Sequence, residues 1–265
     1  MSLIPFLRRI VAFLIASLVA SWMLAGRGHA HGEPAQLVFW GNFGTSTARC
    51  QRAIGHAAAL CSLRAAQARA RCHIEQMRGG ECPPAEVDAA VQAARTHARA
   101  VVRRKCNAQQ VQLLRYLDIN EALTDVIGIC RDLDTQLTNF AFAPWLADPE
   151  AVANLAAGHA CIAATSAAAT RLMQASIDSH RKALDRIATK NVSFARKQLA
   201  IEKSRARIVR ATAASLLTVD DACPANSFVA LYGSTNGEHF QALSAKAECF
   251  GGAVYVQDEI VCPAL

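Results

Sequence analysis

Three cysteines, Cys50, Cys61 and Cys72, recur every eleven residues along a stretch that contains no proline. On a helix, eleven residues make three turns plus about 20°, so the three thiols share one face and sit about 16 Å apart along the axis. A disulfide needs Cα atoms within about 7 Å. None of the three can therefore bond another, and each must reach a different element. The spacing predicts a helix over residues 48–77 that is tied to its neighbours at three levels.

Seven further cysteines follow the N-terminal apolar run: Cys82, Cys106, Cys130, Cys161, Cys223, Cys249 and Cys262. The even total of ten, in an exported chain, implies up to five disulfides. No CxxC occurs, which argues against thioredoxin-like chemistry and zinc ribbons, and no CxxCH offers a c-type haem attachment.

Export is itself readable. Arg8 and Arg9 precede an apolar run from Ile10 to Ala25, and Gly28 and Ala30 place small residues at a cleavage site after Ala30. Residues 1–30 read as a signal peptide. The alternative is an uncleaved inner-membrane anchor over residues 10–26, since a spanning helix needs roughly 17–25 apolar residues. Arg8-Arg9 fits twin-arginine export poorly because of its flanks. Removing residues 1–30 takes away three of the 28 basic residues and none of the 21 acidic ones, so +7 becomes +4. Residues 218–265 carry −5, leaving a basic body and an acidic C-terminal segment that suit each other, or an anionic partner.

The chain is 52% apolar but only 6% aromatic. That weighting towards alanine and leucine favours helices over strands. After an irregular arm at 31–46, Gly79-Gly80 ends the first helix, Cys82-Pro83-Pro84 turns the chain, and a second helix covers 85–106. A third helical stretch covers 109–138, and residues 140–149, with Pro144 and Pro149, read as a linker. Residues 150–217 lack proline and break at Lys190-Asn191-Val192-Ser193, where Ser193 can cap the next helix. Met173, Ile177, Leu184 and Ile187 before the break, and Phe194, Ile201 and Ile208 after it, form facing apolar stripes. Residues 232–237 read as a loop, residues 238–248 as a helix, and 253–261 as helix or strand.

Facing residues of an antiparallel hairpin share an index sum. Cys50 and Cys106 sum to 156, and Cys72 and Cys82 to 154, which places a tip near residue 78. Cys161 and Cys223 sum to 384, which places a second tip at 192, within the break at 190–193 and beside the hairpin tip read near 191. Cys61 then takes Cys130, and Cys249 is left with Cys262. Cys161–Cys249 with Cys223–Cys262 is the competing arrangement. The expected fold is all-α: residues 31–145 form an N-terminal helical domain, and residues 146–265 a long hairpin with the acidic segment 218–265.

The stretch ARCQRAIGHAAALCSLRAAQARARC (48–72) resembles the opening helix of exported, cysteine-rich helical proteins of environmental bacteria. CPANSFVALYG (223–233) and AECFGGAVYVQDEIVCP (247–263) resemble their C-terminal signature. The resemblance implies a disulfide-stapled helical fold. It implies no activity and no catalytic residue.

Candidate chemistry is sparse. His56, His73 and His97 lie on the first hairpin, His73 directly after Cys72, and His159 lies two before Cys161; Cys/His sets hold zinc or copper. Disulfides would consume those thiols, and no pair has short ligand spacing, so no metal or cofactor is assigned. His180 borders an apolar stripe and reads as a packing residue. Neither G-x-S-x-G nor H-E-x-x-H occurs. Glu75, Glu81, Glu86 and Asp88 cluster at the first tip, where carboxylates suit a helix start. Basic residues gather at 95–105 and 181–210, including Arg181, Lys182, Arg186, Lys190, Arg196, Lys197, Lys203, Arg205, Arg207 and Arg210. They suit solvated faces or an anionic envelope surface. Nucleic acid is not expected, because no aromatic residues interleave for stacking. The expected role is a non-catalytic structural or binding module of the envelope or secreted space. Two alternatives are a metal-binding or redox protein and a membrane-anchored subunit of an envelope complex.

Overall fold

The computed structural model describes residues 44–189 and 193–253. Over these residues the chain is all-α, with nine helices. Helices α1 (Thr45–Met77) and α2 (Pro84–Lys105) form the first hairpin. A short α3 (Ala108–Leu113) leads into α4 (Ile119–Ala147), and α5 (Pro149–Asn154) joins α4 to the second hairpin. That hairpin is α6 (Gly158–Thr189) with α7 (Phe194–Ala222). Helices α8 (Ala225–Tyr232) and α9 (Asn236–Ala253) follow, and α9 packs on both α6 and α7. No described helix is long and apolar enough to cross a membrane.

Helix α1 is the centre. Ala57, Ala58 and Ala59 are 2%, 0% and 1% exposed. Three consecutive residues span about 200° of a helix, so α1 is covered on more than one side. Helices α2, α4 and α6 supply that cover. Alanine permits it, because the distance between helix axes shrinks with the side chains at the contact.

The first hairpin turns where glycine allows it. Gly79 has φ 80°, a left-handed conformation that costs glycine nothing. The Gly80 N–H then reaches back to the Glu75 carbonyl at 3.0 Å, closing the end of α1. Pro84 opens α2, where its missing N–H has no helical partner to lose. Arg103, Arg104 and Lys105 end α2, where positive charge suits the dipole.

The structure divides the third helical stretch in two. Asn107 and Gln110 cap α3 reciprocally, and Asp118 caps α4 by accepting from the N–H groups of Asn120 and Glu121. Between them Arg115 takes φ 68°. The break follows capping chemistry rather than hydrophobic period.

Residues 140–149 are not a linker. Helix α4 runs through Pro144 to Ala147, with Phe140, Ala141 and Phe142 all buried. An internal proline costs a helix about 3 kcal/mol. Burying two phenylalanines returns about 1.5–3 kcal/mol each, so burial wins. Asp148 then closes α4 through its N–H to the Pro144 carbonyl, and its side chain caps α5 by accepting from Ala151.

A buried cluster crosses the boundary expected between 145 and 146. The described residues, 44–189 and 193–253, cluster as one compact unit. Met77 of α1, Ala141 and Phe142 of α4, Val152 of α5 and Ile162 of α6 share one buried cluster. Gly158 starts α6 so close to α5 that a Cβ there would lie 2.2 Å from the Val152 carbonyl oxygen.

In the second hairpin α6 and α7 pack along each other, and Met173, Ile177 and Ile208 are buried. Ser193 holds the cap position of α7, but its side chain makes no cap hydrogen bond. Residues 190–192 lie outside the described residues, as do the segment 1–30 expected to direct export and the region 254–265.

Candidate functional site

The cysteines form the framework. Cys50 of α1 bonds Cys106 beyond α2, Cys61 bonds Cys130 of α4, and Cys72 bonds Cys82 before α2. Cys161 of α6 bonds Cys223 beyond α7. The three thiols of one α1 face thus reach three separate places. The competing Cys161–Cys249 pairing is excluded by Cys161–Cys223. Cys249 is disulfide-bonded as well, and Cys262 lies outside the described residues.

The densest polar and aromatic meeting point lies where α4, α8 and α9 converge. Pro144 has no N–H, so the Phe140 carbonyl loses its helical donor four residues on. His239 of α9 supplies one: its Nε2 donates to that carbonyl at 3.2 Å. The imidazole stacks on the Phe140 ring at 3.9 Å between centroids. Phe228, Tyr232 and Phe240 pack around it. Tyr232 donates its hydroxyl to the Ala141 carbonyl at 2.7 Å. Burial holds His239 below its ordinary pKa, against the opposing pull of the Phe140 hydrogen bond. Burial likewise pushes the Tyr232 phenol up. The result is a neutral imidazole used as a packing and hydrogen-bonding group.

Sequence reasoning missed His239. Its partners are spread from Phe140 to Phe240, so no local pattern marks it. The available signal was Pro144 inside a helical pattern, because such a proline leaves one carbonyl in need of a distant donor.

Two further histidines, His73 and His180, fall into similar places. His73 packs against Phe142 and Trp145, and burial lowers its pKa. His180 is held low by burial and donates through Nδ1 to the Ser176 carbonyl at 3.0 Å. Ser176 in turn donates to the Ala247 carbonyl, fixing α9 on α6. His97 is exposed on α2, while His56 and His159 are half-buried. Among the described residues no three His, Cys, Asp or Glu side chains converge in a geometry fit for a metal.

One buried carboxylate stands out. Asp134 of α4 is 1% exposed and accepts from Arg69 Nε of α1 at 2.9 Å. Burial raises its pKa, and Arg69 and Arg95 pull it back down. The ion pair ties α1 to α4.

Glu75, Glu81 and Glu86 of the first tip line a cleft of about 300 Å³ together with Arg71, Cys72 and Cys82, and Asp88 does not. On the second hairpin Lys182, Arg196, Lys203, Arg207 and Arg210 are exposed, as are Leu199, Val209 and Leu217. Arg205 is engaged by Glu248 at 2.7 Å. Arg181 pairs with Asp178.

Comparison with protein-family models, with curated proteins and with solved structures finds no match. The chain is defined by its own architecture: a disulfide-stabilised, all-helical protein.

Proposed function

We propose that this chain is an exported helical module of the cell envelope or secreted space, locked by disulfides, with a structural or binding role. The observation that carries this reading is the burial of its bridges. Cys50, Cys61, Cys130 and Cys161 are 0–1% exposed, and their bridges join residues 56–69 positions apart. Such bonds form and persist in oxidising compartments and are rare in the bacterial cytosol. The signal-like segment 1–30 and the resemblance to exported cysteine-rich helical proteins support the same reading.

The binding surface on this reading is the outer side of the second hairpin. Its exposed lysines and arginines suit an anionic envelope surface, to which long-range attraction would steer the protein. Its partner would be lipid headgroups, an acidic polysaccharide or an acidic envelope protein.

The test is to express the full chain in a bacterium, alkylate thiols on lysis, fractionate and measure intact mass. The expected product is extracytoplasmic, unalkylated and begins at His31. A cytoplasmic product with alkylated cysteines would overturn the proposal. A membrane-bound product retaining residues 1–30 would replace cleavage with anchorage.

A further inference from the structure

The described bridges differ in access. Cys50, Cys61, Cys106, Cys130, Cys161 and Cys223 are at most 8% exposed. Cys72 and Cys82 are both part-exposed, and both line the cleft at the first hairpin tip. Both residues of this bridge are partly open to solvent in the folded chain, whereas the other three described bridges are buried. The cleft also has a sign: Glu75, Glu81 and Glu86 face one guanidinium, Arg71.

We propose that Cys72–Cys82 is a thiol-exchange site, and that its carboxylate-lined cleft selects small, positively charged thiols. The thiolate of such an aminothiol attacks one Sγ, the Cys72–Cys82 bond breaks, and the other cysteine leaves as a thiolate that takes up a proton. The product is a mixed disulfide on the protein. A second aminothiol attacks the mixed disulfide, releasing the small-molecule disulfide and the second cysteine thiol. Two aminothiols are oxidised and one bridge is reduced. Exchange rates depend on access as well as on thiolate chemistry, and here access and charge both favour this bridge.

The site can open without loss of the fold. The bridge spans only 10 residues, and the turn within it is held by its own backbone bonds at Gly79 and Gly80. Cys50–Cys106 still ties the hairpin at its other end. The proposal goes beyond a structural or binding role and does not depend on it.

The test uses the full oxidised chain at low ionic strength. It is treated separately with 2-aminoethanethiol, 2-mercaptoethanol and mercaptoacetate, trapped with an alkylating agent and mapped by mass spectrometry. Cys72 and Cys82 are expected to be modified first, with helicity retained. Relative to each thiol's rate with a small neutral disulfide, which cancels the thiolate's own nucleophilicity, 2-aminoethanethiol should react about fivefold faster than uncharged 2-mercaptoethanol, the size of one close charge contact in water, and mercaptoacetate should react more slowly than both. In 1 M salt, where screening falls to about 3 Å, the preference should vanish. The triple variant Glu75→Gln, Glu81→Gln, Glu86→Gln, which alters only exposed side chains, should also lose it. First modification at Cys249, which is part-exposed too, or at a buried bridge would overturn the proposal. So would equal relative rates for the three thiols at low salt, each referred to its rate with the neutral disulfide.

Discussion

His239 donates from Nε2 to the carbonyl of Phe140 at 3.2 Å while its ring stacks on the Phe140 side chain. One residue of α9 thereby repairs the hydrogen bond that Pro144 removes from α4, 99 positions away in sequence. His239→Leu should cost about 2–3 kcal/mol, because a buried acceptor loses its partner and the ring packing goes with it. In a Pro144→Ala background the alanine N–H can serve the same carbonyl. The His239→Leu cost should then shrink by about 1 kcal/mol, the coupling of one hydrogen bond. Urea unfolding of the four proteins measures it.

His73, His180 and His239 are all held below the ordinary histidine value, chiefly by burial. Between the folded and the unfolded pKa the unfolded chain binds more protons, so stability rises with pH there. Stability is complete above the unfolded value of about 6.5 and falls as pH drops through it towards the folded values. The melting temperature should therefore decline from pH 7.5 to pH 5. Glu248 faces His180 and Arg205 opposes it, so His239→Gln should flatten the slope more simply than His180→Gln.

Arg69 and Asp134 make a different pH prediction. Arg69→Met leaves Asp134 buried without its ion-pair partner and should cost about 2–3 kcal/mol, below the 3–5 of a fully enclosed pair. The discount reflects Arg69, whose side chain keeps 34% of its surface exposed. The Asp134 pKa is already raised by burial. Removing Arg69 raises it further, so the loss should grow as pH rises through the carboxylate range and shrink in acid. Denaturant midpoints at pH 4 and pH 7 test the sign.

The bridges should differ in what they stabilise. In the loop-closure account, joining residues 62 apart, as Cys161–Cys223 does, is worth about 4 kcal/mol. The 10-residue span of Cys72–Cys82 is worth about 3. The double variant Cys161→Ala/Cys223→Ala should therefore melt lower than Cys72→Ala/Cys82→Ala, as calorimetry would show.

Much of the framework was legible because helix geometry and disulfide geometry are both stiff. The eleven-residue repeat of Cys50, Cys61 and Cys72 points to one helix face, and the index sums 156 and 154, and 384, point to hairpin tips beside Gly79 and before Ser193. What escaped was decided at long range. Pro144 looks like a helix breaker locally, yet burial of Phe140 and Phe142 and the distant His239 donor carry the helix through it. The single shared core was equally hidden, since Met77, Phe142 and Ile162 carry no local sign that they meet. The break before Asp118 was readable from its capping residues, but the apolar period ran across it.

The central claim is that the chain is an oxidised helical module whose bridges bind its two hairpins. Peptide mapping of the unreduced, thiol-blocked protein tests it most directly. The account predicts linked peptides for Cys50–Cys106, Cys61–Cys130, Cys72–Cys82 and Cys161–Cys223, with no blocked cysteine at those positions. Cys50 joined to Cys61, Cys161 joined to Cys249, or blocked thiols at these eight positions would contradict it.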